Sequence, residues 1–340
     1  MKTRRALAFL LLSAALAAAL KAVPEVSVPE TLPFVAVGDW GRDGTREQRQ
    51  VAGAMATWAS AHAARFVIST GDNFYNYGVR SVSDPKWRSS FEDVYAQPAL
   101  GVPWYVALGN HDYRGSVQAQ IDYTATSARW RLPARFYTLT HPVGANSSLQ
   151  LFVLDTSPFI AKYHYIISLT KVWGQDPEAQ RSWLERELAA STAAWKIVVG
   201  HHPIYGVGAH GDFTELSHDV APLLERYQVA VYLAGHDHSL QHLKVGSVHY
   251  LTSGGGSEAV RVRPDGRTLF AAAATGYLAF RVTPETLTVD AIGADGRTLH
   301  NAVIQRPEPA VRSVARTGDP GDPGGGEGST GGARGGEPRR

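Results

Sequence analysis

Five times in this chain an apolar run stops at a glycine and is followed at once by oxygen or imidazole donors. The loops read GDWG (38–41), GDNFY (71–75), GNHD (109–112), GHHP (200–203) and GHDH (235–238). The run before each glycine is short, apolar and rich in β-branched or aromatic residues, which reads as a buried strand. A single Gly-Asp pair is ordinary turn chemistry; five such loops at successive strand ends are not. Strand–helix–strand alternation predicts an α/β fold, and open α/β sheets place their ligands at the carboxyl ends of strands. The last loop poses the sharpest question, because His236 and His238 flank Asp237 just after the apolar run from Val231. Two residues apart on extended backbone, these imidazoles would project toward one face and reach a shared metal.

The segments between the loops fit that frame. The gaps from Asp39 to Asp72 and on to Asn110 each exceed the roughly thirty residues that a βαβ unit needs. Thr45 is placed to cap a helix running through TREQRQVAGAMATWASAHA. A fourth strand, SLQLFVLDTS, carries Asp155 at its end; the helix EAQRSWLERELAAS and the strand leading to His201 come next, and APLLERYQ is a short helix before the strand that begins at Val231. Strands over Tyr250–Ser253, Gly276–Val282 and Thr286–Ile292 close the pattern, with ADGRTL as a hairpin turn.

The chain has 340 residues and no cysteine, so thiolate metal sites, disulfides and a cysteine nucleophile are excluded. A metal here must be held by His, Asp, Glu, Asn, Tyr or backbone oxygen. A net charge of +2 makes no case for nucleic acid or an anionic membrane as partner. Residues 1–22 pair a basic start with a short apolar run and small residues, the pattern of a signal peptide, so the expected location is secreted or periplasmic. The run is short for a membrane span. The paired arginines of TRRALA leave Sec and twin-arginine export both open. Residues 313–340 are Gly, Pro and charge, the composition of a disordered tether. No Pro/Gly linker interrupts 31–310, which is expected to be one domain.

Taken with the non-motif text TGDNFYNYGV, FEDVY, VPWYVALGNHDY, QAQIDYT and SWLERELA, the loops resemble the calcineurin-like metallophosphoesterases. The likeness is to the purple acid phosphatases, and among them the small, tartrate-resistant type, from about Phe34 to Arg306. Tyr75 narrows the family, since these enzymes use GDxxY to put a phenolate on ferric iron, a hard donor for a hard ion. The resemblance implies a four-layer sandwich, two central mixed β-sheets flanked by helices. It implies that Asp39, Tyr75 and His238 bind Fe(III), that Asp72 bridges, and that Asn110, His201 and His236 bind a second, divalent ion (Fe, Zn or Mn). The two histidines of GHDH would then serve different metals, with Asp237 pointing the other way as an outer-sphere or structural residue. His111 and His210 match positions beside the phosphate that donate a proton to the leaving group. The remaining histidines, at 62, 141, 164, 202, 218, 242, 249 and 300, read as structural or solvated.

The same resemblance implies an exported acid phosphatase, a monomer, cleaving phosphate monoesters with metal-bound hydroxide at acidic pH. Its substrates would be small phosphorylated molecules, phosphoproteins or nucleotides. A phosphodiesterase or nucleotide hydrolase on the same site, a redox role of the iron pair, and a non-catalytic phosphate-binding protein stay open as alternatives. The chain departs from mammalian relatives in lacking their disulfide. It departs again in Ser157–Glu178, where those relatives carry a loop near the active site but with different aromatics.

Overall fold

The first apolar run forms strand β1 (Leu32–Val37), buried along its whole length. The computed structural model describes residues 30–307, which fall in one compact unit; the expected leader (1–22) and tail (313–340) lie outside the described residues. β1 lies parallel to β2 (Val67–Ser69), β2 to β3 (Trp104–Val106), and β3 to β4 (Trp130–Arg131). The crossover from β1 to β2 is helix α1 (Arg46–His62), capped as expected by Thr45, whose Oγ1 accepts from the Gln48 amide at 3.4 Å. Val51, Met55 and Ala59 line its buried face at helical spacing. A short helix, α2 (Val117–Asp122), comes after the third loop.

The chain then builds a second sheet. β5 (Tyr137–Val143) and β6 (Ser147–Val153) form an antiparallel pair. Helix α3 (Pro177–Ala190) leads to β7 (Trp195–Val199), and α4 (Thr214–Asp219) and α5 (Ala221–Arg226) lead to β8 (Val231–Ala234). In α3 the Asp176 carboxylate accepts from two first-turn amides and Pro177 opens the helix, a favourable start on both counts. β9 (Leu240–Val245), β10 (Val248–Ser253) and β11 (Thr268–Ala272) complete this sheet. The chain returns to the first sheet with β12 (Gly276–Val282), β13 (Thr286–Gly293) and β14 (Thr298–Gln305). The sheet orders are β14-β13-β12-β1-β2-β3-β4 and β11-β9-β10-β8-β7-β6-β5, both mixed. This is the expected architecture of two central mixed sheets with flanking helices.

Two features seat the site between the sheets. Ser253, at the end of β10, donates its hydroxyl to the Ala36 carbonyl (2.7 Å) and accepts the Gly38 amide on its own carbonyl (2.7 Å). The end of β1 is thereby tied to the second sheet. Beneath the first loop, Trp40 is fully buried, packs edge-on against Tyr95, Trp104 and Trp130, and donates its indole N–H to Ser69 Oγ at 2.9 Å. Such aromatic packing, with the polar handle satisfied, makes a rigid floor.

β5, β9 and β11 were not expected from the sequence. Their segments interrupt the apolar pattern with His141 and Pro142, with Gln241, His242 and Lys244, and with exposed Leu269. The buried His242 is satisfied by neighbouring imidazoles, His249 at 2.8 Å and His300 at 3.1 Å. Pairing across strands, invisible locally, overrides the weak pattern.

Candidate metal centre

Asp39, Asp72, Asn110, His201 and His236 each come after a strand end with little or no intervening chain, and two glycines explain how the loops come so close. A Cβ on Gly109 would stand 2.2 Å from Asp72 Oδ1, and one on Gly235 would stand 2.6 Å from Asp39 Oδ2. Only a residue without Cβ allows these approaches. Asp39 (φ 59°), Asp72 (φ 50°) and His236 (φ 67°) occupy the left-handed region, uncommon for non-glycine residues and characteristic of functional sites. His236 is therefore not on extended backbone. The two imidazoles of GHDH do face one site, but a left-handed turn at His236 aims them rather than strand alternation.

The donors gather in two adjoining groups. Tyr75 Oη lies 2.9 Å from Asp39 Oδ1, 3.1 Å from Asp72 Oδ2 and 3.0 Å from His238 Nε2. His201 Nε2 lies 3.4 Å from the same Asp72 oxygen, 3.2 Å from Asn110 Oδ1 and 3.1 Å from His236 Nδ1. Asp72 Oδ2 is common to both groups. All of these side chains are buried except His238, which is partly so.

Hydrogen-bond chemistry tests whether these residues fit cations. His201 Nδ1 faces the Thr70 carbonyl at 2.9 Å, a partner that only accepts, so Nδ1 carries the proton and Nε2 is a lone pair. That lone pair points at a carboxylate, an amide oxygen and another imidazole nitrogen. His238 repeats the arrangement: its Nδ1 faces the Glu258 carboxylate at 3.2 Å, leaving Nε2 aimed at Tyr75 and Asp39. Two clusters of buried acceptors share too few protons to satisfy themselves, and oxygen and imidazole donors so disposed fit hard or borderline metal ions.

The protonation preferences of the protein alone agree. Burial pulls the pKa of His201 down, but Asp72 and then Asp39 outweigh it and raise the value to about 9. The cluster would draw in a proton where it lacks a cation, and metal binding releases it. Burial, Asp39 and Asp72 hold the Tyr75 phenol well above its usual range; a highly charged cation inverts that logic. Burial opposes ionisation of Asp72, yet His201 and then His111 lower its pKa. His236 is held well below the ordinary imidazole value by burial and then by His202 and His201, and so is the neutral donor a metal needs.

The two outer histidines also reach the site. His111 fixes Nδ1 on the Asn76 carbonyl (2.9 Å) and brings Nε2 to 3.9 Å from Asp72 Oδ2; burial lowers its pKa. His210 is held through Nδ1 by Asp237 Oδ1 at 2.9 Å, and its ring lies 4.1 Å from that of His236. Asp237 also accepts the His210 amide and so orients that ring. His202 sits beside the site, but Thr156 Oγ1 (2.9 Å) and Tyr163 Oη (3.1 Å) occupy its two nitrogens, in keeping with its structural reading.

Above the donors opens a pocket of about 330 Å³ whose wall includes Arg114, Lys162 and Tyr163. None of the three was singled out from the sequence. Arg114 comes directly after GNHDY, and Lys162 lies in the atypical 157–178 segment, so position was the available signal. Asp112 braces the site from below: it accepts the Gly109 and Asn73 amides, the Asn73 side chain and Gln120, locking the second loop to the third.

A two-sheet α/β sandwich here presents an acceptor cluster that fits metal ions beneath a cation-lined pocket that fits an anion. Residues 32–240 match the calcineurin-like phosphoesterase family. Purple acid phosphatase 4 of Arabidopsis thaliana is 37% identical over 309 residues, covering 86% of this chain and 90% of that protein. Tartrate-resistant acid phosphatase type 5 of Oryctolagus cuniculus is 36% identical over 296 residues, covering 79% and 89%. The chain belongs to the calcineurin-like phosphoesterases and, within them, to the purple acid phosphatases. The solved structure of GAP50, the anchor in the inner membrane complex of Plasmodium, matches with a TM-score of 0.72 at 23% identity, over 82% of this chain and 90% of that one. At that identity it shows the shared fold alone.

Proposed function

We propose that this protein is an exported, monomeric acid phosphatase that hydrolyses phosphate monoesters at a dinuclear Fe(III)–M(II) centre. Asp39, Tyr75 and His238 hold the ferric ion, Asp72 bridges, and Asn110, His201 and His236 hold the divalent ion, Fe, Zn or Mn. The observation that carries the reading is Tyr75 Oη within 3.1 Å of two carboxylates and an imidazole nitrogen. A phenol has one proton to give, so three acceptors around this oxygen are left short of donors unless a strongly charged cation sits among them and takes a phenolate.

When bound, the ions supply Lewis-acid charge to phosphate oxygens and acidify water. The residues around them do the rest. Arg114 and Lys162 offset the charge of the ester and orient it over the donors. His210, its Nδ1 on Asp237, presents Nε2 to the pocket and passes a proton to the departing alkoxide; His111 does the same from the Asn76 side. An imidazolium is needed for that transfer, and a bound phosphate dianion favours it, so activity is expected to peak on the acid side. The leader-like sequence at 1–22 supports export.

The test is the visible spectrum of the air-purified mature protein beside Tyr75→Phe. A purple charge-transfer band that the variant loses supports ferric phenolate. A colourless, metal-replete protein overturns it in favour of an all-divalent centre, and parallel assays of a monoester and a diester then decide the reaction.

A further inference from the structure

The segment 160–173 exposes apolar bulk beside the pocket. Ile166 and Ile167 are 85% and 88% exposed, and Tyr165, Leu169 and Trp173 are each more than half exposed. Single apolar residues on a surface are normal; five within nine positions are a patch with a purpose. The tip is not loose chain. Ile160, Tyr163, Thr170 and Val172 are buried, and Thr170 Oγ1 donates to the Asn110 carbonyl at 3.2 Å. The segment is thus pinned to the third metal-site loop on one side, and on the other Lys162 and Tyr163 form part of the pocket wall.

Its charge is one-sided. From Ser157 to Gln175 there is no acidic residue, while Lys162 and Lys171 are both present, with Lys171 Nζ 5.7 Å from the Trp173 ring centre. Isoleucine and leucine at a tip, flanked by tryptophan, tyrosine and lysine, match the polarity gradient of a bilayer interface. A second copy of the chain fits less well, since a two-fold contact would set two acid-free cationic segments against each other.

We infer that segment 160–173 docks this enzyme on anionic lipid surfaces, with the pocket opening onto phosphomonoester headgroups. The inference rests on the phosphatase reading for its substrate, but not for its docking. The reaction on such a headgroup is unchanged: the oxygen of water bonds to phosphorus, the ester P–O bond breaks, the leaving alkoxide takes a proton, and inorganic phosphate departs.

The experiment uses the mature chain and the Ile166→Ser/Ile167→Ser double variant, whose changes lie in solvent. Binding is measured by co-sedimentation with vesicles of phosphatidylcholine, with and without phosphatidylserine. Phosphate release is measured from vesicle-borne phosphatidic acid and from a soluble aryl phosphate. The wild type is expected to sediment with anionic vesicles and much less with neutral ones. The variant is expected to lose binding and phosphatidic acid hydrolysis by about tenfold or more, because interfacial binding scales with buried apolar area. Its hydrolysis of the soluble ester is expected to match wild type. Absence of wild-type binding, equal binding by the variant, or a wild-type dimer that the variant dissociates each overturns the docking. Binding as expected without hydrolysis of either ester overturns the phosphatase reading and leaves the docking standing.

Discussion

A carboxylate oxygen of Glu258 lies 3.2 Å from Nδ1 of His238, and the same oxygen pairs with Arg42 at 2.5 Å. The Arg42 guanidinium in turn lies 4.1 Å from the centre of the Tyr75 ring. One exposed ion pair therefore orients two of the proposed ferric ligands from outside, and such partners set the tautomer and basicity of a ligating histidine. Glu258→Gln is expected to weaken iron retention by about 10- to 100-fold, read as metal content after a timed chelator challenge. Arg42→Ala is expected to shift the visible band, because the cation leaves the face of the phenolate. Retention and colour both unchanged would reduce the pair to a surface contact of little consequence.

The hold of Asp237 on His210 gives a second expectation. If His210 is the proton donor, its loss matters most when the leaving group is a poor one. His210→Ala is expected to lower kcat for an alkyl phosphate by about 10² to 10⁴ and to affect an activated aryl phosphate far less. Asp237→Ala, which frees the ring without removing it, should show the same selectivity more weakly. Equal losses on both esters would point to binding rather than proton transfer, and are checked by comparing kcat for the two substrates.

How much of this centre the sequence carried depends on how local each part is. The strand-end loops were legible because a buried apolar run, a glycine and a donor are contiguous in the chain. Glu258 and Arg42 were not, since they lie 216 positions apart and meet only because the chain leaving β10 is held against the end of β1 by Ser253, Gly256 and Ser257. The partner of Asp237 was out of sight for a related reason: Asp237 sits inside the most conspicuous motif, but His210 arrives from another loop, 27 residues away. The aim of His236 was misread, because a left-handed turn delivers the side chain that extended backbone was expected to deliver. β9 went unseen because the neighbours that satisfy His242 come from two other strands, β10 and β14.

Asp155, expected at a strand end, lies just past β6 and is buried, with Oδ2 on the Tyr113 hydroxyl. Burial raises its pKa to about 7, against the opposing pull of Tyr113 and Arg135. The folded protein thus binds this proton more tightly than the unfolded chain, whose carboxyl titrates near 3.8. The stability it contributes is full below the unfolded value and is lost as pH rises through about 7. Thermal midpoints of the metal-free wild type are therefore expected to fall, relative to Asp155→Asn, between about pH 4 and about pH 8. Parallel curves for the two proteins would mean that Asp155 is ionised in the fold throughout.

The closeness of the second and third loops leads to the last expectation. A methyl group on Gly109 would overlap Asp72, standing 2.2 Å from Oδ1 and 2.3 Å from the backbone nitrogen. The third loop must shift, or the Asp72 carboxylate must leave its place between Tyr75 and His201. If Asp72 bridges as proposed, displacing it by about an ångström would harm both metal sites at once, and misplacement on that scale costs about a hundredfold in rate. Gly109→Ala is expected to lower kcat by that order and to lose metal on dialysis. Gly53→Ala is the matched control, because Gly53 lies inside α1 and, among the described residues, nothing outside its own helix backbone comes within 4 Å of an added Cβ. It is expected to keep activity and metal and to gain about 0.5–1 kcal/mol in stability, the difference between glycine and alanine in a helix interior. Metal content, kcat and thermal midpoint for the pair are the measurements; a Gly109→Ala protein with full metal and rate would show that the loops tolerate separation and that Asp72 does not bridge.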